Sequence, residues 1–334
     1  MSFHDSFCPA WWLNSQHLQT LYPALCRQPP LLIRVRETLS TPDNDFLDLD
    51  HFDHDPNRPL AILLHGLSGS SNSGYILGLQ QSLSQQGIAS VVMNFRGCSG
   101  RPNRLARSYH SGETEDIDFV YRTLRKRFPQ RRFCAVGFSL GGNVLLKWLG
   151  EQGGNISLAA AATVCVPLVL SECASRMDQG FSKIYRDRLL KELKEYIHNK
   201  RRHLESIGAL KEAEKLHQLG DLASLNSFWQ YDEHVIASLH GFTDAYDYYQ
   251  RSSARQFLIH IRVPTLLIQA ADDPFMTSAV LPETNELAAC VTLEVHDSGG
   301  HVGFVAAKHC FQPDYWLDRR IPAFLASQLA HGTG

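Results

Sequence analysis

Three short stretches carry residues suited to nucleophilic chemistry. Ser139 lies in Gly137-Phe138-Ser139-Leu140-Gly141, between the apolar run Phe133–Val136 and a helix-like stretch from Gly142 to Trp148. The G-x-S-x-G spacing between a strand and a helix puts a serine on a tight turn, where only glycine fits at the flanks and the hydroxyl is held outward. A serine hydroxyl is inert at neutral pH until a base, usually histidine, takes its proton and a carboxylate fixes the tautomer of that base. Downstream, Asp272-Asp273-Pro274 follows the strand-like Thr265–Gln269, and Ser298-Gly299-Gly300-His301-Val302-Gly303 follows Val291–Val295. Serine, acid, histidine is one of the chain orders in which such trios occur. Together they imply acyl-transfer chemistry with Ser139 as nucleophile and His301 as base.

Two aspartates compete for the acid. Pro274 restricts Asp273 to an extended backbone, and the acids of such trios usually stand directly before this proline, which favours Asp273, with Asp272 as the neighbour that caps or steadies the loop. Attack on a carbonyl also needs donors for the oxygen that becomes negative. The N–H of Leu140, directly after the nucleophile, is one. The second is the N–H of Leu67, since His65-Gly66-Leu67 follows the apolar strand Leu60–Leu64. His65 is expected to orient that loop by hydrogen bonds.

These turns need a scaffold, and the sequence supplies strands and helices in alternation. From Pro59 onward come strand Leu60–Leu64, helix Tyr75–Gln85, strand Ile88–Phe95, helix Glu113–Phe128, strand Phe133–Val136, the helix after the elbow, and the apolar run Ser157–Val166. Uniformly apolar strands separated by helices predict a mostly parallel sheet covered on both faces, an α/β fold. Two strands, Leu31–Leu39 and Phe46–Phe52, precede it. Residues 1–30 are expected to form an arm packed on the core, helical between Ser15 and Leu21. Residues 31–170 and 256–334 form the predicted core, and 171–255 a helical cap insertion. Alternating charges across Lys183–Lys215 predict a solvated helix face.

Composition narrows the function. The formal net charge is −2 and 44% of residues are hydrophobic, which suits a large core and not a polyanion-binding surface. Eight cysteines, at 8, 26, 98, 134, 165, 173, 290 and 310, contain no C-x-x-C pair and predict reduced thiols in the cytoplasm. No signal-peptide pattern and no apolar run of about 18 residues is seen, so no integral membrane segment is expected. Nucleotide-binding glycine fingerprints are missing, and the chemistry needs neither cofactor nor metal. His51, Asp53, His54 and Asp55 read as a solvated strand edge, and His309 with Asp314 as a chance H-x4-D spacing. His110 is expected to satisfy a backbone group, and Arg96–Gly100 to line the pocket or shape a turn. No oligomeric state is implied.

The chain resembles the YheT-type hydrolases, a branch of the α/β-hydrolase superfamily. The resemblance rests on His65–Gly69, Asn94–Gly100, Ser108–Gly112, Gly137–Asn143, Asp272–Phe275 and Gly299–Phe304, with His17-Leu18-Gln19-Thr20 in the arm. It implies an α/β-hydrolase fold, a triad of Ser139, Asp273 and His301, and hydrolysis of carboxylic esters, small or lipid-like, through an acyl-enzyme. Transfer of the acyl group to an alcohol by the same trio, or a retained fold that only binds ligand, are the alternatives.

Overall fold

The computed structural model describes residues 6–309 and 311–331; Cys310 and both extreme ends lie outside the described residues. The strands are β1 (Val35–Ser40), β2 (Phe46–Phe52), β3 (Leu60–Leu64), β4 (Ala89–Met93), β5 (Phe133–Phe138), β6 (Ala160–Val164), β7 (Thr265–Ala270) and β8 (Val291–His296). They form one sheet in the order β1-β2-β4-β3-β5-β6-β7-β8. The β1–β2 and β2–β4 pairs are antiparallel and every other pair is parallel. A separate antiparallel hairpin joins β9 (Val305–His309) to β10 (Gln312–Tyr315).

Period-2 alternation explains why β3 is apolar throughout. Leu60, Ile62 and Leu64 enter one core layer, and Ala61 and Leu63 enter the layer on the opposite face. Helix α1 (Gln16–Cys26) belongs to the arm, whereas α2 (Gly74–Gln85), α3 (Glu115–Arg127) and α4 (Leu140–Gln152), which follow β3, β4 and β5, cover the two faces. Ile117 and Val120 of α3 and Leu145 and Trp148 of α4 pack on the first face, and Ile76 and Leu83 of α2 on the second. Helix α3 opens on Glu115, Asp116 and Asp118 and closes on Arg125, Lys126 and Arg127, complementing its dipole.

Between β6 and β7 run α5 (Leu170–Met177), α6 (Ser182–Ser206), α7 (Leu210–His217), α8 (Phe228–Tyr231), a π-helical turn (Asp232–Ala237), α9 (Ser238–His240) and α10 (Ala245–Ser252). A last helix, α11 (Leu317–His331), packs on the α2 side through Ile321 and Leu325. Leu190, Leu193, Ile197 and Leu204 form the buried stripe of α6, with the spacing of one helix face. Lys200 falls on the same stripe and departs from the expected solvated face. It is fully buried, donates to the carbonyls of Ala106 (3.3 Å) and Arg107 (2.8 Å), and burial pushes its pKa down to about 7.

Element bounds shift from the sequence reading at several ends, and two of the shifts have a clear physical cause. Strand β1 starts at Val35, because Leu31 and Ile33 are solvent-exposed and have no partner strand. Helix α1 continues through Pro23 to Cys26. Proline lacks the N–H that would bond the carbonyl four residues back, that of Gln19, and this carbonyl packs against Gly303, where a Cβ would overlap it.

Candidate active site

Ser139 sits between β5 and α4 with φ 50° and ψ −119°, a conformation rare outside glycine. Close packing holds the strained turn in place. A Cβ on Gly137 would lie 2.5 Å from the Gly141 carbonyl oxygen, and one on Gly141 would overlap the His65 carbonyl and lie 2.7 Å from that of Leu64. Every residue from Phe133 to Gly150 is buried except Ser139. The local structure thus presents one hydroxyl from an otherwise closed segment. Asn143, one turn into α4, is fully buried and ties the elbow to its surroundings. It donates to the carbonyls of Ser111 (2.8 Å) and Ser252 (2.7 Å) and accepts from Ala254 N–H (3.0 Å).

The loops after β7 and β8 bring the other two side chains to this hydroxyl. His301 Nε2 lies 2.9 Å from Ser139 Oγ, and His301 Nδ1 lies 2.8 Å from Asp273 Oδ2. Asp273 Oδ1 accepts the Phe275 N–H at 2.8 Å, so both carboxylate oxygens are engaged. The Phe275 ring stacks on the imidazole with centroids 4.0 Å apart and planes at 12°. Asp272 points elsewhere: its carboxylate accepts Gly300 N–H at 2.9 Å, bracing the histidine loop. Burial pushes its pKa up, and the neighbouring Asp273 adds to that.

The arm contributes to the site, a contribution the residue types alone did not reveal. Thr20 Oγ1 accepts the backbone N–H of His301 at 2.9 Å. Gln19 is fully buried; its amide donates to the carbonyls of Leu13 (2.9 Å) and Val305 (3.0 Å) and its oxygen accepts Val305 N–H (2.7 Å). Gly300 is packed against α1, where a Cβ would lie 2.6 Å from the Gln16 carbonyl and 2.7 Å from Thr20 Oγ1. The available signal was the His17–Thr20 stretch of the resemblance.

Leu67 and Leu140 both line the cavity that holds Ser139 and His301. Leu140 is the first residue of α4, so its N–H has no acceptor within the helix. The amides beside Leu67 are committed, Gly66 N–H to Tyr75 OH (2.9 Å) and Ser68 N–H to Tyr109 OH (3.1 Å). A Cβ on Gly66 would be 3.4 Å from Ser139 Cβ, so this loop abuts the nucleophile. His65 spans the loop as expected. Its Nδ1–H donates to the Gly66 carbonyl (2.8 Å), its Nε2 accepts Phe95 N–H (3.2 Å), and full burial pushes its pKa down to about 4.

The remaining sequence candidates sit elsewhere or do other work. Arg96 is buried among Asp43, Asp45 and Asp116, with contacts of 2.7–3.0 Å, and fixes the loop after β4 without lining the cavity. His110 Nδ1 accepts Gly112 N–H at 3.2 Å. His51 pairs with Glu37 and Asp53 with Arg58. His309 is exposed, and Asp314 pairs with Arg319 at 2.8 Å. Missed altogether was Asp232, which lines the cavity of about 110 Å³ beside Ser139 together with Phe228 and Tyr249. Its place in the insertion gave no pattern to read.

A family model for the alpha/beta hydrolase fold matches residues 59–307, and the chain belongs to that family. Within it, the chain falls in the YheT-type branch. It is 38% identical over 326 residues to YheT of Escherichia coli (strain K12), a provisionally named esterase, across 97% of this chain and 94% of that protein. It is 29% identical over 338 residues to Phospholipase ABHD3 of Homo sapiens, across 98% of this chain and 80% of that one. A monoacylglycerol lipase of Saccharomyces cerevisiae is 29% identical over 276 residues, 81% of this chain and 59% of that protein. The esterase Pf2001 of Pyrococcus furiosus superposes with a TM-score of 0.54 at 15% identity, across 92% of this chain and 100% of that one, a likeness of fold. By family, the protein is an ester-cleaving hydrolase. Among the described residues no helix is long and apolar enough to cross a membrane.

Proposed function

We propose that the protein is a serine carboxylester hydrolase that works through an acyl-enzyme on Ser139. The observation that carries this reading is the unbroken path from Ser139 Oγ through His301 to Asp273, with contacts of 2.9 and 2.8 Å. His301 Nε2 takes the hydroxyl proton as Oγ attacks the acyl carbonyl. Asp273 holds Nδ1–H and stabilises the imidazolium that forms. Leu67 and Leu140 N–H groups receive the developing oxyanion. His301 then protonates the leaving alcohol. A water molecule, deprotonated by the same nitrogen, releases the acid. None of these steps calls on a metal or cofactor.

Helices α5–α10 act in this reading as a cap over the sheet. They supply Leu170, Ala174, Met177 and Phe228 to the cavity wall and leave the site a mainly apolar lining, suited to small or lipid-like acyl esters. The reading places the enzyme in the reducing cytoplasm, where the buried, unbridged thiols of Cys134, Cys165 and Cys173 remain intact. Turnover of p-nitrophenyl esters by wild type and Ser139→Ala tests it. A fall of about 10³-fold or more is expected; equal rates would overturn the assignment.

A further inference from the structure

The cavity beside Ser139 adjoins a second, inner cavity of about 70 Å³. The two share Leu67, Ser111, Leu140, Phe228, Asp232 and Tyr248. Asp232 is the only carboxyl among the described residues lining either one. It opens the π-helical turn Asp232–Ala237, a local widening that recurs at functional sites. Tyr249 OH donates to Asp232 Oδ2 at 2.6 Å, while Oδ1 makes no hydrogen bond among the described residues. The side chain is partly accessible although protein surrounds it, as fits a group facing an internal hollow. Burial pushes its pKa up to about 7. Oδ1 is thus open to a partner on a molecule bound in the hollow.

The chemistry says which part of the substrate reaches it. The leaving alcohol must lie against His301 Nε2 to receive its proton. The inner cavity is lined by neither His301 nor Phe275 but lies beyond the oxyanion amides of Leu67 and Leu140, so it takes the acyl side. Its volume suits about five to seven water-sized groups, at roughly 10–15 Å³ each. A cationic end group is disfavoured, because the basic Lys200 amine already sits 4.7 Å from the centre of the Tyr196 ring in the wall, and a second cation would meet it there. A hydroxyl both donates and accepts, and so suits Asp232 whether or not it is protonated.

We propose that Asp232 is a specificity-determining residue of the acyl pocket and selects acyl chains that carry a hydroxyl at their far end. This rests on the esterase reading above. The test uses methyl esters of ω-hydroxy acids of four to eight carbons, each paired with the ester in which methyl replaces the hydroxyl. Acid release is followed by pH-stat against an enzyme-free blank. Wild type is expected to favour the hydroxyl member by roughly ten-fold or more in kcat/KM at one or more lengths. Asp232→Leu is expected to lose or invert that preference and Asp232→Asn to keep part of it. Folding of both variants is checked by far-ultraviolet spectrum and melting point, and Ser139 of wild type is probed with a fluorophosphonate. A wild type without preference at any length, or a preference that survives in Asp232→Leu, overturns the proposal. So does better turnover of a matched ω-ammonium ester. Absence of turnover on every ester, with no labelling of Ser139, would instead take down the esterase reading itself.

Discussion

Replacing Gln19 by leucine should disable a site whose chemical groups it never touches. Gln19 makes three hydrogen bonds, to Leu13 O, Val305 O and Val305 N–H, in a fully buried position. Val305 O also accepts Ala10 N–H at 2.9 Å and keeps that partner. Val305 N–H and Leu13 O lose theirs. At about 1–3 kcal/mol for each buried group stripped of its partner, and with a leucine side chain returning some apolar burial, the expected cost is about 3 kcal/mol. The damage is local to the loop that presents His301, four residues before Val305. That loop holds Gly300, Val302 and Phe304 at positive φ (57°, 60° and 46°) and relies on its neighbours to stay so. A displacement of about 1 Å at His301 can cost on the order of 10² in rate. Urea unfolding and ester turnover, measured on the same preparation, should both fall. Thr20→Val, which removes only the acceptor of His301 N–H, should show a smaller stability loss, about 1–2 kcal/mol, and a similar direction in kcat. Unchanged kcat in Gln19→Leu, together with a stability loss under about 1 kcal/mol, would refute the idea that the arm holds the histidine.

The two aspartates should separate cleanly. Asp273→Asn is expected to lower kcat by about 10⁴-fold through the wrong imidazole tautomer, whereas Asp272→Asn, which keeps an acceptor for Gly300 N–H, should cost less than about 10-fold; steady-state kinetics decide, and equal losses would contradict the assignment. Gly141→Ala should fail to accumulate as folded protein, because its Cβ meets two backbone carbonyls that cannot move independently of β3; a normal far-ultraviolet spectrum and melting point would contradict this. His65 gives a pH signature. Its folded pKa of about 4 lies below the unfolded value near 6.5, so the unfolded chain binds the extra proton in that window and stability falls as pH drops from 6.5 towards 4, by up to about 3 kcal/mol. His65→Gln should be less stable than wild type at pH 7, and the gap between their urea midpoints should narrow towards pH 4; parallel curves would rule the effect out.

The chemistry-bearing turns were legible because their sequence is dictated by local sterics. Gly137 and Gly141 are forced by carbonyls within van der Waals range, and the elbow therefore announces itself in one dimension. Parallel strands buried on both faces are equally plain, since β3 to β7 admit scarcely any polar residue. The Asp272–Asp273 ambiguity needed coordinates, because both sit on one turn and only the direction of each side chain separates them. The arm's role was hidden for another reason. Gln19 and Thr20 act on residues more than 280 positions away, and no local pattern encodes such a contact. Asp232 was invisible likewise: one of two adjacent acids, Asp232-Glu233, in a helical segment looks solvated until α8 and α10 pack around it. Lys200 misled in the same way, being one basic residue among many on α6.

A fluorophosphonate tests the central claim most directly, since it reacts only with a hydroxyl that a neighbouring base has made nucleophilic. Peptide mass spectrometry of the treated native protein should find the phosphonyl group on Ser139 and nowhere else, with labelling lost in His301→Ala and in urea. Native protein that remains unlabelled, or that carries the group on another residue, would contradict the account.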